Sequence, residues 1–181
     1  MTLLILGLLL WTGVHVWKRV VPDHRAKFGE KGKGIVAIGS FAAIVLMVFG
    51  YGAADSAAYW SRTSALTGIN NLLMLFGVYL FAASGKGTRI TRIIRHPQLT
   101  AVLVWAIAHL LVNGDMRSIV LFGGLGLWAI AEMILINRAK GPHGAYHAPP
   151  IKSEIIAGVA TLVVFIVIVG IHTWLGYNLF G

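Results

Sequence analysis

The chain has 181 residues, of which 57% are hydrophobic and 12% are charged, and its mean hydropathy is +0.80. These values indicate a polytopic membrane protein, because no soluble core of this size hides so large an apolar fraction. The absence of cysteine excludes disulfides, thiolate-ligated haem, cysteine zinc sites and iron–sulfur clusters, and it leaves histidine as the nitrogen ligand for a metal.

Six apolar segments are long enough, or nearly so, to cross a bilayer. They lack strict alternation of apolar and polar residues, and lipid satisfies no backbone hydrogen bonds, so helices are favoured over barrel strands. The sequence predicts an all-α, polytopic integral membrane protein with six transmembrane helices in one bundle, a single domain over residues 1–181. The predicted spans are 3–21, 34–54, 66–83, 98–112, 119–136 and 155–177. The fourth, at about 15 residues, is shorter than the roughly 20 that cross a bilayer.

The formal charge of +9 follows membrane topology and does not indicate a nucleic-acid partner. Thirteen of the fifteen Lys and Arg residues lie in the loops after spans one, three and five, and only Arg62 and Arg117 lie in the other two loops. The positive-inside rule therefore places the three basic loops in the cytoplasm and both termini on the outer side. The first span lacks the features of a removable signal peptide and is predicted to stay as a membrane anchor.

Ionisable residues inside the spans are the first candidates for a site, because burial in lipid makes them costly. His15 lies in the cytoplasmic half of span one, roughly 10 Å before Pro22. The second and third spans contain small residues that permit close helix contacts, among them Gly50 and Gly52. Asn70 and Asn71 enter span three from the outer side.

The stretch from residue 89 to residue 115 is the most informative one in the chain. Three arginines recur every third residue and share one face of a helical turn: Arg89, Arg92 and Arg95. A new helix is predicted to begin at Pro97, directly after His96, because proline needs no N–H partner in the first turn. The apolar run that follows contains one ionisable residue, His109. A tight turn with a positive φ is then predicted at 113–115, which reads Asn-Gly-Asp.

Two further ionisable residues lie in the last two predicted spans. Glu132 lies in span five, and its carboxylate is predicted to pair with Arg95, Arg138 or the ring of His15. His172 lies near the outer end of span six and matches His109 in depth better than His15 does.

These residues carry a resemblance to a known family. The segments GVHVWKRVVPDHRAKFGEKGKGIVAIGSF, VLMVFGYG and IIRHPQLTAVLVWAIAHLLVNGDMRSIVLFGGLGLWAIAEMI resemble the NnrU family of bacterial membrane proteins, which is related to the plant and cyanobacterial zeta-carotene isomerase. The resemblance is recognised over about residues 1–138 and does not include the sixth helix at 155–177. It implies a multi-pass protein of the bacterial inner (cytoplasmic) membrane.

The resemblance also implies a cofactor and its ligands. It predicts haem b, with His15 and His109 as the iron ligands, and depth along the helices leaves His172 as the alternate ligand. Glu132 is expected to orient one of the histidine rings through a hydrogen bond. The residues expected to hold the haem carboxylates are Arg92, Arg95 and His96. The implied function is redox or isomerase chemistry on a lipid-soluble substrate, linked to nitrite and nitric oxide metabolism.

Other interpretations of the same residues remain open. His109 is equally able to form a structural hydrogen bond with Asn70, Asn71 or a backbone group, and His96 to cap its helix or contact lipid phosphate. The protein as a whole is alternatively a non-enzymatic haem-handling or assembly factor for nitrogen-oxide reductases. Arg-His-Pro at a helix start also resembles the isoprenylcysteine and phospholipid methyltransferases, although Gln98 and Leu99 stand where those enzymes have tyrosine.

Overall fold

The computed structural model describes residues 1–141 and 149–180, and this part of the chain is almost entirely helical. A 3₁₀ turn lies at Arg89–Arg92, and a π-helical turn at Ile119–Gly123 joins the helical segments Met116–Ser118 and Gly124–Lys140 without a break. The helices are α1 (Thr2–Val20), α2 (Pro22–Ala26), α3 (Lys31–Gly52), α4 (Ser64–Lys86), α5 (Pro97–Val112), α6 (Met116–Ser118), α7 (Gly124–Lys140) and α8 (Ile151–Trp174).

Within residues 1–141 and 149–180, five helical segments are long and apolar enough to cross a membrane: α1, α3, α4, the continuous segment Met116–Lys140, and α8. The predicted all-α, multi-pass architecture is thereby confirmed. The helix α5 begins at Pro97, as predicted, and its 16 residues extend about 24 Å, less than the ~30 Å of a hydrocarbon core. A count of six spans and the outer location of both termini stay predictions.

The long helices pack in an order that differs from their order in the chain. The helix α1 packs against α3 and α7, α7 packs against α5, α5 against α4, and α4 against α8. The main core cluster lies where α1, α3 and α7 meet and contains Leu4, Met47 and Trp128. The long helices therefore follow one another in a row in the order α3, α1, α7, α5, α4 and α8. The last helix, α8, lies beside α4 and far from α1 and α3.

Close contact between α1 and α3 depends on glycine. The backbone of Leu4 lies against Gly50, and a Cβ added at Gly50 would overlap it. On the other helix, a Cβ at Gly7 would meet the carbonyl oxygen of Ala43 at 2.9 Å. The predicted role of small residues in helix contact is confirmed at Gly50, whereas a Cβ at Gly52 would meet no atom within 4 Å.

Replacing Gly50 with alanine should destabilise the protein by about 1–3 kcal/mol, because the new methyl group forces two backbones apart. Gly52→Ala is the matched control, since the same substitution two residues later enters open space. Thermal unfolding of the two variants in one detergent measures the difference. Equal melting temperatures for both would contradict the packing of α1 on α3.

A two-stranded antiparallel sheet joins two loops at the predicted outer end. The strand β1 (Ala58–Trp60) pairs with β2 (Gly114–Asp115), with Trp60 opposite Gly114. Gly114 belongs to this strand and is not among the described glycines with positive φ, so the predicted tight turn at 113–115 is wrong. The glycine is required for a different reason, because the ring and carbonyl oxygen of Trp60 occupy the space that a Cβ would need.

Candidate functional site

Two cavities lie inside the helix row. The outer cavity, between α4, α5 and α8, has a volume of about 760 Å³ and is lined by Asn70, Trp105, His109, Phe122, Ile168 and His172, among others. The inner cavity, between α1, α4, α5 and α7, has a volume of about 670 Å³ and is lined by Trp11, His15, Arg95, His96, Trp128 and Glu132, among others. The outer cavity lies toward the predicted outer side of the membrane, and the inner cavity lies toward the predicted cytoplasmic side. Phe81 lies in the wall of both cavities.

His109 lies on α5 and is held by its own helix and by an aromatic neighbour. Its Nδ1 atom lies 2.9 Å from the carbonyl oxygen of Trp105, one turn earlier. A carbonyl oxygen only accepts, so Nδ1 carries the hydrogen and Nε2 keeps its lone pair. The ring stacks on Phe122 of the π-helical turn at a centroid distance of 4.6 Å. The backbone contact weighed for His109 in the sequence is therefore present, and it leaves Nε2 available as a ligand.

His172 enters the same cavity from α8 with the same ring orientation relative to its helix. Its Nδ1 donates to the carbonyl oxygen of Ile168 at 2.8 Å, so its Nε2 also keeps the lone pair. The ring of Tyr177 lies beside it at a centroid distance of 6.1 Å. The outer cavity thus has two imidazoles that approach from different helices, each with a free nitrogen.

His15 does not join this pair. Its Nδ1 donates to the carbonyl oxygen of Trp11 at 2.8 Å, and its ring lies 5.1 Å from that of Trp128 in the wall of the inner cavity. Trp11, Trp128 and Trp105 pack in one core cluster, with Trp105 lining the outer cavity. The structure therefore places His15 and His109 in different cavities, although the sequence predicts that they share one haem.

The outer cavity fits a b-type haem in ligand chemistry and in size. Its volume lies within the roughly 300–1,000 Å³ of ligand cavities, and most of its wall is apolar. No group of three or more His, Cys, Asp or Glu side chains in the described ranges is arranged to hold a bare metal ion. Two histidines suffice only where a macrocycle supplies the equatorial ligands. Among the residues that the structure describes, no Lys or Arg lines this cavity, so carboxylates on the ring would be solvated at its outer end.

The residues predicted to hold the haem carboxylates lie elsewhere. Arg95 and His96 line the inner cavity, and Arg92 lines neither of the two. His96 occupies the N-cap position of α5, but its side chain makes no capping bond, and Nε2 lies 2.8 Å from Oδ1 of Asn137. The His96 side chain therefore does not cap α5, and the capping role considered for it in the sequence analysis is wrong.

Glu132 is buried, with 5% of its surface exposed, and it pairs with a cation that the sequence prediction did not include. Its Oε2 atom lies 3.7 Å from Nε of Arg19 on α1. The predicted pairing of Glu132 with a basic residue is thus correct, but the named partners Arg95 and Arg138 are wrong. The reason is the packing of α1 on α7, which brings the last turn of α1 beside Glu132.

A family model described as NnrU protein matches residues 3–179. The chain belongs to the NnrU family. The match extends past residue 138, so this membership includes α8 and with it His172. No curated protein and no solved structure matches the chain.

Within this NnrU-family chain, sequence reasoning missed three residues of the inner cavity: Trp11, Arg19 and Trp128. Arg19 carries a recognisable pattern, because it follows His15 by four residues and so lies on the same helix face. Trp11 precedes His15 by four residues and fits the same pattern. Trp128 does not, because its contact with α1 depends on how the helices are ordered in space.

Proposed function

We propose that this NnrU-family protein binds haem b in the outer cavity, where His109 and His172 would hold the iron. The observation that carries the proposal is that both rings line one apolar cavity with Nε2 free. The ligand pair differs from the one implied by the family resemblance, because His15 lies in the other cavity. His172, the alternate ligand in the sequence analysis, takes its place.

The residues around the haem have definite roles. The carbonyl oxygens of Trp105 and Ile168 fix the tautomer and direction of the two rings, and such hydrogen bonds also raise the basicity of the ligating nitrogen. Apolar walls exclude water from the site. When bound, haem would supply one-electron chemistry, which suits a redox reaction with a lipid-soluble substrate. The link to nitrite and nitric oxide metabolism rests on the family resemblance.

The absorption spectrum of the protein tests this proposal. Protein expressed with ample haem and purified in detergent should show a Soret band with the spectrum of low-spin iron, because two imidazoles give a strong ligand field. Haem extracted into organic solvent without acid cleavage should be the b type, since the chain has no cysteine for covalent attachment. A purified protein without any Soret band would refute the proposal.

One observation favours a second function of the same site, that of a non-enzymatic haem-handling or assembly factor. Two histidine ligands leave no open position on the iron for a substrate, an arrangement that suits haem storage or electron transfer. Haem-loaded protein that converts no candidate substrate and co-purifies with a nitrogen-oxide reductase would support this function. Turnover of a lipid-soluble substrate by the isolated protein would exclude it.

A further inference from the structure

The inner cavity is polar in a way that haem binding in the outer cavity does not explain. Three of its lining residues keep buried polar atoms without a hydrogen-bond partner, namely the indole N–H groups of Trp11 and Trp128 and Oε1 of Glu132. Leaving such groups unpaired costs free energy, which a ligand that reaches them recovers. His15 adds a ring whose Nε2 keeps its lone pair.

The charges of the inner cavity favour an anion. Of the described residues in its wall, two are arginines, Arg19 and Arg95, and one is a carboxylate, Glu132. Glu132 pairs with Arg19, whereas the guanidinium of Arg95 contacts no hydrogen-bond or ion-pair partner anywhere in residues 1–141 and 149–180. One positive charge is therefore left over, beside two unpaired N–H donors.

Part of the wall is apolar and belongs to helices of the predicted spans. Leu99 and Val102 come from the first turns of α5, Ile136 from α7, and Phe81 from α4. Arg95 directly precedes α5, whereas Trp11 lies eight residues before Arg19, or roughly 12 Å deeper along α1. The cavity thus joins a basic rim to an apolar wall, which is the arrangement that an amphiphile requires.

We infer that the inner cavity binds an anionic membrane amphiphile, a phosphate or carboxylate that carries an apolar chain. Arg95 holds the oxyanion at the basic rim, the indole N–H groups of Trp11 and Trp128 donate to oxygens of the headgroup that lie deeper in the cavity, and Glu132 accepts a hydrogen bond from a hydroxyl of the headgroup. Phe81 and Val102 contact the start of the chain. A quaternary ammonium would suit the aromatic rings but not the surplus arginine or the unpaired N–H donors.

Binding of amphiphiles that share one alkyl chain tests the inference. The probes are dodecyl phosphate, dodecanoate, dodecanol and dodecyltrimethylammonium, with inorganic phosphate as the anion without a chain. Affinities are measured at equilibrium on the full-length protein in a neutral detergent. One or both anionic amphiphiles should bind most tightly, and the ratio between them identifies the headgroup as phosphate or carboxylate.

Variants locate the site. Arg95→Gln should weaken binding of the preferred anion by roughly 10-fold to 100-fold, because it removes a charge-assisted hydrogen bond. Arg89→Gln is the control, since Arg89 belongs to the same basic loop but does not line the cavity. Trp128→Phe removes the N–H donor and keeps an aromatic ring at this position. It tests a second contact with the same headgroup if Arg95→Gln does not fold.

Three results would overturn the inference. Equal binding of dodecyltrimethylammonium and dodecyl phosphate would show that only the alkyl chain is recognised. Binding of inorganic phosphate as tight as that of dodecyl phosphate would show a site for a soluble anion. Equal losses in Arg89→Gln and Arg95→Gln would show attraction to the basic loop as a whole.

Discussion

Replacing His109 with alanine should remove most of the haem from the purified protein. His109 supplies one axial ligand and, through its stack on Phe122, part of the wall of the outer cavity. Without it the iron keeps one protein ligand, on α8, and the cavity is open where the ring was. The ratio of haem to protein, measured by haem extraction from equal amounts of folded protein, gives the result.

The two other histidines within the spans serve as internal comparisons. His172→Ala should keep a weaker haem with a high-spin, five-coordinate spectrum, because His109 remains in place. His15→Ala should leave haem content and spectrum unchanged, because its ring lines the other cavity. If His15→Ala loses haem and His172→Ala does not, the ligand pair implied by the family resemblance is correct and the one proposed from the cavities is wrong.

Replacing Arg19 with leucine should destabilise the protein by about 3 kcal/mol, because it leaves the buried carboxylate of Glu132 without its cation. The change keeps an apolar side chain at the end of α1, so lost packing contributes little. Unfolding of the wild type and the variant, by heat or denaturant in the same detergent, measures the effect.

The control for Arg19→Leu is the double variant Arg19→Leu with Glu132→Leu, which removes both charges and should recover most of the stability. The exposed pair Lys33–Glu30 provides a second comparison, because loss of a surface ion pair costs at most about 1 kcal/mol. An Arg19→Leu protein as stable as Glu30→Gln would show that Glu132 does not depend on Arg19.

Much of the helical architecture was predictable from the sequence. Pro97 marks the start of α5 because proline fixes φ and needs no N–H partner, and the structure begins the helix there. The span predicted at 119–136 is longer in the structure, because α6 and a π-helical turn continue it back to Met116. The β1–β2 pairing was missed, since strands of two and three residues leave no recognisable alternation.

The candidate site was predictable in its residues but not in their grouping. Depth along the helices predicted that His172 is level with His109, because rise per residue is fixed, and the structure places both rings in the wall of the outer cavity. Which helices are neighbours was not predictable, because lipid-facing and helix-facing surfaces are both apolar in a membrane protein. His15 lies in the inner half of α1 and His109 in the outer half of α5, so they line different cavities, and the packing of α8 on α4 brings His172 to the cavity of His109. The spacing of Arg19 from His15 was visible in the sequence, but its contact with Glu132 depends on the packing of α1 on α7.

The most direct test of the proposed ligand pair is rescue of His172→Gly by free imidazole. This variant should bind haem in a high-spin form, and imidazole added to the buffer should restore the low-spin spectrum, because the small ring enters the space that the side chain left. His15→Gly should be low-spin without imidazole and unchanged by it. A His172→Gly protein that stays low-spin, with imidazole rescue seen in His15→Gly instead, would contradict His172 as a haem ligand.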